Sequence, residues 1–364
     1  MTIDDDRGRL AGRRVLLTGA SSGVGLAAAL AFAGEGAQLA LLSRNPAVIE
    51  PFLEAHGARA LTIPVDVTER DAVERAVEQA VGELGGLDIV VSNAAAAVFG
   101  HLLEVDPDDF DRTVAVTFTG AVNVIRAALP HLRESRGTVV ATGSLMARAP
   151  LPTWSAYASA KHALRGFLTS LQIEELEQRS GVRVAMVHPG PIDTPFFAHS
   201  TSGTARTPRV PPDAYRPEVI AQALVEVAVR PRAEIVLGGE TVLMDLLDTY
   251  ARPVSQRVLM TIDRWYRSGD RPAPDPGALW RTPGRARPSG GIPGRDSLLA
   301  PLQLGRRLLP DPLTPLRIAR HLARAGRRAA QLGPALKQPV PERPWNAGDA
   351  RTQPHRTEDA EVSV

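Results

Sequence analysis

The 364-residue chain contains no cysteine. That removes disulfide frameworks, thiolate metal centres and cysteine nucleophiles together, so any chemistry here falls to other groups. Lysine is almost missing as well: of the 42 Lys and Arg residues only Lys161 and Lys337 are lysines. Arginine serves nearly everywhere else, so the lysine kept at position 161 needs a chemical reason. A basic, apolar leader is lacking, because Asp4, Asp5 and Asp6 stand where a secretory signal carries positive charge. No apolar run reaches the roughly 20 residues that span a bilayer. The expectation is a soluble, cytoplasmic protein without a metal site.

What is present suits a large core, with 44% hydrophobic and 23% charged residues. The net charge of +2 hides an asymmetry: residues 1–250 carry −8 and residues 251–364 carry +10. The same tail holds 16 of the 31 prolines, which marks a change of architecture near residue 250. Domains are therefore placed at 1–240, the main domain, 241–330, a helical and Pro-rich extension, and 331–364, a disordered tail.

Between residues 14 and 239, short runs of Val, Ile, Leu and Ala alternate with longer segments of helical period. That is the pattern of βαβ units, and it predicts strands at 15–18, 38–43, 60–65, 89–93, 137–142, 183–188 and 234–237. Helices are expected at 25–34, 70–82, 108–132, 154–179 and 217–229. The fold class is α/β, a doubly wound parallel sheet of about seven strands. Residues 195–212 have a loop's composition but carry Phe196 and Phe197, which reads as a lid or as a surface loop whose aromatics cover the core. Apolar residues at helical spacing on either side of Pro253 predict two short amphipathic helices. Residues 271–313 read as an extended crossing segment, and 315–332 as a helix with Arg317, Arg320, Arg324 and Arg327 largely on one face.

The first predicted strand runs into Thr18-Gly19-Ala20-Ser21-Ser22-Gly23-Val24-Gly25, after which an Ala-rich helix begins. Glycines at a strand-to-helix turn let backbone approach a pyrophosphate, and the helix N-terminus offers free N–H groups. The strand before and the helix after supply the context that makes this pattern a dinucleotide site. At the end of the second strand the sequence reads Leu42-Ser43-Arg44, with no acid to accept the ribose hydroxyls. Arg44 can pair with a 2′-phosphate, which predicts NADP(H) over NAD(H); otherwise it is a solvated surface arginine. Asp66 and Val67 end the third strand, where they face the adenine or, for Asp66, cap the next helix.

Tyr157 and Lys161 stand four apart in a predicted helix and so share a face. Tyrosine ionises near pH 10, and an adjacent ammonium favours its phenolate, which gives the retained lysine a role. Ser144 ends the fifth strand at the carboxyl edge of the sheet, where its hydroxyl can orient a substrate carbonyl.

These residues, from about 10 to 240, resemble the short-chain dehydrogenase/reductases. The likeness rests on the TGxxxGxG loop of Thr18 to Gly25, Asn93-Ala94-Ala95, Ser144, the YxxxK pair, and Pro189-Gly190 followed by Thr194. It implies a Rossmann-type fold in which Tyr157 is the general acid and base, Lys161 lowers its pKa and holds the nicotinamide ribose, and Ser144 polarises the substrate oxygen. By the same resemblance Asn93 and Ala94 lie beside the cofactor, and Pro189, Gly190, Ile192 and Thr194 line the nicotinamide pocket. One position departs: where the family has a catalytic Asn that holds a proton-relaying water, this chain has Thr117.

Leu145, Met146, Leu151, Trp154, Phe196 and Phe197 surround this site in sequence and imply a hydrophobic carbonyl or alcohol substrate, with Arg148 as the exception. The family further implies a homodimer or homotetramer built on helices 108–132 and 154–179. The Arg-rich helix admits docking on the acidic domain, peripheral membrane contact or, least favoured, nucleic acid. Two functions stand at this point: an NADP(H)-dependent oxidoreductase, and a nucleotide-binding scaffold with little turnover.

Overall fold

Strands rich in Val, Ile and Leu on both faces can only be buried on both faces, which calls for helices on each side of a parallel sheet. The computed structural model describes residues 8–291, apart from 205, 212–213, 270–271, 273–276 and 283. Seven strands form the sheet: β1 (Arg14–Thr18), β2 (Gln38–Ser43), β3 (Leu61–Pro64), β4 (Ile89–Ser92), β5 (Thr138–Thr142), β6 (Arg183–Pro189) and β7 (Glu234–Leu237). Their order is β3-β2-β1-β4-β5-β6-β7 and every pairing is parallel. The order reverses between β1 and β4, so a crevice opens there at the carboxyl ends of the strands. All four residues of β4 and all five of β5 are buried, as the central strands of such a sheet must be.

Helix α1 (Gly23–Gly34) packs on one face of the sheet, and α2 (Arg70–Leu84) on the other. Next comes a continuous helical run, α3 (Pro107–Ser135), with a π-helical stretch at Ala115–Thr119. Asp106 starts it by accepting the Asp108 N–H at 2.8 Å, with Pro107 in the first helical position. By length and composition this run could cross a bilayer, against the sequence expectation; here Val124, Ile125, Ala128 and Leu132 are buried in the core instead. Helix α4 is Ser155–Glu177 and α5 is Pro217–Val229, the latter packed against α1.

The two helices foreseen around Pro253 are α6 (Gly239–Tyr250) and α7 (Arg252–Tyr266). They form a hairpin at the β7 edge. Arg148 fastens it there, donating to Asp245 of α6 at 2.5 and 2.8 Å and to Glu234 of β7 at 2.6 Å. Arg148 therefore spends its charge on docking and does not line the cavity in the switch-point crevice. The Arg-rich 315–332 segment, the 292–313 part of the crossing segment and the 331–364 tail lie outside the described residues.

Candidate active site

The crevice at the switch point holds a cavity of about 260 Å³. It brings together Gly19, Ser21, Ser22, Gly23 and Val24 of the glycine loop, Ser43 and Arg44 after β2, and Asp66 and Val67 after β3. Asn93, Ala94, Ser144, Tyr157, Lys161, Pro189, Gly190, Ile192 and Thr194 complete that lining. Two candidate residues do not line it, Gly25 and Thr117.

Local structure explains the loop. Gly19 has φ of +71°, and a Cβ there would come within 2.8 Å of the Ala94 Cα, so only glycine fits. Asn93 knits the neighbouring strands: its amide N–H donates to Thr18 Oγ1 at 3.0 Å, its side-chain NH2 to the Thr18 and Gly19 carbonyls at 3.2 and 3.3 Å, and its Oδ1 accepts from Thr142 at 3.0 Å. A residue with both donor and acceptor is needed to bridge β1 and β5 in this way. Gly25 packs against that amide from within α1, which makes it a support for the loop. Among the described residues, the first-turn amides of Val24 and Gly25 have no protein acceptor and remain available to an anion.

Asp66 accepts the Thr68 N–H at 3.0 Å and its hydroxyl at 2.8 Å, and pairs with Arg112. These partners hold its carboxyl below the ordinary range against the opposing pull of burial. The helix-capping alternative falls, because α2 begins at Arg70 with Glu69 as its N-cap. Arg44 is part-buried and already engaged: it donates to the carbonyls of Leu279 at 2.9 Å and Ala278 at 2.6 Å. Burial lowers its pKa.

At the other end of the cavity, Tyr157 and Lys161 share one face of α4 as spacing requires, with the Lys161 Nζ 5.6 Å from the centroid of the Tyr157 ring. Lys161 is fully enclosed and donates to the Thr142 carbonyl at 2.7 Å. Burial pushes its pKa down to about 7. Burial also pushes the Tyr157 phenol above its ordinary value, and the Ser144 hydroxyl bonded to it pulls the other way. The net direction for Tyr157 is thus upward, opposite to the lowering attributed to Lys161, because both groups sit in the same desolvated pocket. Ser144 also accepts the Met146 N–H at 3.0 Å, and its carbonyl bonds to His188 Nδ1 at 3.1 Å. Burial holds His188 at about 4, so it is neutral near pH 7.

Thr117 sits in the π-helical stretch, fully buried. Its hydroxyl donates to the Ala96 carbonyl at 2.9 Å and accepts the Ala96 N–H at 3.1 Å. The proton that a relay through this hydroxyl would pass is therefore committed to backbone.

Leu145, Met146, Leu151, Trp154, Phe196 and Phe197 all line the cavity. Trp154 is the hub, with ring centroids of Phe99, Tyr157, Phe196, Phe197 and Tyr266 between 5.3 and 6.3 Å away. Phe196 and Phe197 belong to a short helix, Phe196–His199, whose aromatic side closes on this hub. Just before Trp154 on the chain, Thr153 has φ of +57°; Asp263 of α7 accepts its hydroxyl and its carbonyl accepts the Gly100 N–H at 2.9 Å. Tyr266 of α7 was not foreseen as a lining residue, although the helical spacing through Ile262 and Trp265 ran beside it. Ala278, Leu279 and Thr282, which line the Arg44 end, carry no local signal at all.

A family model described as short chain dehydrogenase matches residues 13–205. An uncharacterized oxidoreductase, YxnA, of Bacillus subtilis is 31% identical over 71% of this chain and 74% of its own. The oxidoreductase SadH of Mycobacterium tuberculosis, described as putative in its name, is 32% identical over 65% of this chain and 90% of its own. Among solved structures, an alcohol dehydrogenase of Thermococcus sibiricus complexed with 5-hydroxy-NADP superposes with a TM-score of 0.55 at 28% identity, covering 62% of this chain and 96% of that one. A 3-ketoacyl-(acyl-carrier-protein) reductase of Brucella melitensis complexed with NADH gives 0.56 at 25% identity over 64% and 99%. With the family model spanning over half the residues and the fold and loop in register with it, the chain belongs to the short-chain dehydrogenase family.

Proposed function

We propose that this oxidoreductase uses NADP(H) to interconvert a small hydrophobic carbonyl compound and its alcohol, in the cytoplasm and as a homodimer or homotetramer. The observation that carries the reading is the hydrogen-bonded Ser144 and Tyr157 above the buried Lys161, at one end of a cavity whose other end is the glycine loop. NADP(H) is favoured by the lack of an acid after β2 and by Arg44 in the lining. The Thermococcus enzyme carries an NADP derivative and the Brucella reductase NADH, so the choice rests on this chain's own residues. An apolar substrate is favoured by the aromatic wall around Trp154, which has no charge to pair with a carboxylate or phosphate. Exposed Ile173 and Leu176 on α4 favour a subunit contact there.

A dinucleotide fits these residues: the free amide of Val24 faces its phosphates, Asp66 and Val67 border the adenosine end, and Ile192 and Thr194 border the nicotinamide end. When bound, it supplies or accepts the hydride. The chain supplies the rest. Burial keeps the Tyr157 phenol protonated, ready to give its proton to the carbonyl oxygen as that oxygen becomes an alkoxide. The Ser144 hydroxyl holds the same oxygen against the phenol. The phenolate left behind would be costly in a buried site, and it raises the proton affinity of Lys161, so the two titrate as a pair. The aromatic wall keeps water from the reacting atoms.

The test is Tyr157→Phe, assayed with NADPH and a panel of apolar aldehydes and ketones. Reduction is expected to fall by roughly 10²- to 10⁴-fold with dinucleotide binding retained. Unchanged turnover would remove Tyr157 as the acid. Binding without turnover in the unaltered protein would favour the scaffold reading.

A further inference from the structure

Residues 277–282 and 284–291 come from the C-terminal extension, yet they lie across the proposed dinucleotide crevice. At one end the Ala278 N–H donates to the His199 carbonyl at 2.9 Å, and Arg44 grips the Ala278 and Leu279 carbonyls. Leu279 is buried in an apolar cluster with Ala96, Val98, Val105 and Ala156. The Trp280 indole donates to Asp109 of α3 at 2.6 Å, and its ring lies 5.4 Å from the guanidinium of Arg112. Arg112 in turn holds Asp66 and donates to Thr68 at 2.7 Å.

At the far end the segment meets the glycine loop. The Gly23 N–H donates to the Arg287 carbonyl at 2.8 Å, Ser289 donates to Asp193 at 2.6 Å, and Ala286 is buried in the α1-side core. A Cβ on Gly290 would come within 2.7 Å of an Asp193 oxygen, so the fit here is close. With the segment in place, a cavity remains whose lining extends from Arg44 to Tyr157, and Ala278, Leu279 and Thr282 of the segment are part of that lining.

We infer that residues 277–282 and 284–291 form the outer wall of the dinucleotide site, latched by Trp280, so that a bound dinucleotide leaves only when this wall lifts. The alternative, a segment that competes with the dinucleotide for the crevice, is disfavoured by the cavity that persists under it. The wall also gives Arg44 a second role, since its carbonyl contacts tie the extension to the edge of the adenosine pocket. Trp280 is a positioning residue, acting on the site through Arg112 and Asp66 and through the wall itself.

This inference rests on the dinucleotide site proposed above, and the experiment separates the two. Amide hydrogen exchange is followed on the full chain, free and saturated with NADPH or with NADH. Exchange in 278–281 and 286–290 is expected to slow when either nucleotide binds. Exchange that quickens or stays the same would overturn the wall. Stopped-flow release of the nucleotide is then compared between the unaltered protein, Trp280→Ala and Ser289→Ala. Each variant is expected to release it at least tenfold faster, with association changed less. Unaltered release rates, or a gain confined to association, would overturn the inference. Preference for NADH or absence of turnover would sink the functional reading alone, whereas failure of both nucleotides to bind would sink both.

Discussion

The side chain of Thr117 and the peptide backbone of Ala96 hold each other by two hydrogen bonds, hydroxyl to carbonyl and amide to hydroxyl, across 21 residues of sequence. This reciprocal pair ties α3 to the loop after β4 at the point where the helix widens into its π-helical stretch. Such stretches often sit beside functional sites, because they shift a helix face by one residue.

Removing that hydroxyl leaves both Ala96 groups unpaired in a buried setting. Thr117→Ala is expected to cost about 1–3 kcal/mol in unfolding free energy, measured by urea titration. Thr117→Ser keeps both bonds and should recover most of the loss. Equal stability of Thr117→Ala and the unaltered protein would show that the pair carries no weight.

Arg44 has more than one claim on its guanidinium. Arg44→Ala is expected to weaken NADPH roughly tenfold or more relative to NADH, because only the former brings a 2′-phosphate for charge-assisted bonds. Isothermal titration with both nucleotides decides it. The same loss for each would restrict Arg44 to holding the extension.

Lys161 has its pKa pushed down to about 7 by burial, against an ordinary value near 10.4. Between these two values the unfolded chain binds more protons than the folded one. The unfavourable burial of charge is thus full below pH 7 and is relieved as pH rises toward 10. Unliganded protein should therefore gain stability over pH 7–10 relative to Lys161→Met, whose profile lacks this rise. Parallel denaturation profiles for the two proteins would contradict the assignment.

Arg148 is a partly buried two-way clasp, and its loss strands the Asp245 carboxylate while Glu234 keeps Arg165 at 2.8 and 3.2 Å. Arg148→Ala is expected to lower stability by about 1–3 kcal/mol, discounted for the water that still reaches these groups. Arg148→Lys should recover only part, since a lysine cannot make the paired bonds to Asp245. A change near zero in Arg148→Ala would mean that the hairpin docks by its apolar side alone.

What could be read from sequence was what is local. The glycine loop sits between a strand and a helix that are its immediate neighbours, and Tyr157 and Lys161 lie one helical turn apart, so short windows contain the whole argument. The alternation of strands and helices was legible for the same reason, with β2 and β7 ending where expected. Thr117 was visible as a departure, but its partner Ala96 was not, because nothing in a helix names the loop it touches. Arg44 is the extreme case: its acceptor at Leu279 lies 235 residues away in a Pro- and Gly-rich stretch without periodicity. Backbone carbonyls carry no residue signature, so contacts of this kind leave no trace in composition or spacing. Arg148 stood out as a charge among apolar residues, yet only the folded chain shows that its acids come from β7 and α6.

The Arg148 clasp has a consequence for how this protein can change. Ser144 stands at the sheet's carboxyl edge and Tyr157 on α4, whereas Tyr266, which lines the same cavity, stands on a hairpin clasped to the outermost strand. The two supports meet at Trp154, which packs on both Tyr157 and Tyr266, and at the Thr153 hydroxyl held by Asp263. Drift in α6 and α7 can reshape the aromatic wall only as far as Trp154 keeps its seat, and the hairpin becomes a cartridge with two points of attachment. A graft between relatives should carry its selectivity along, provided that the arginine and its two acids move as a set.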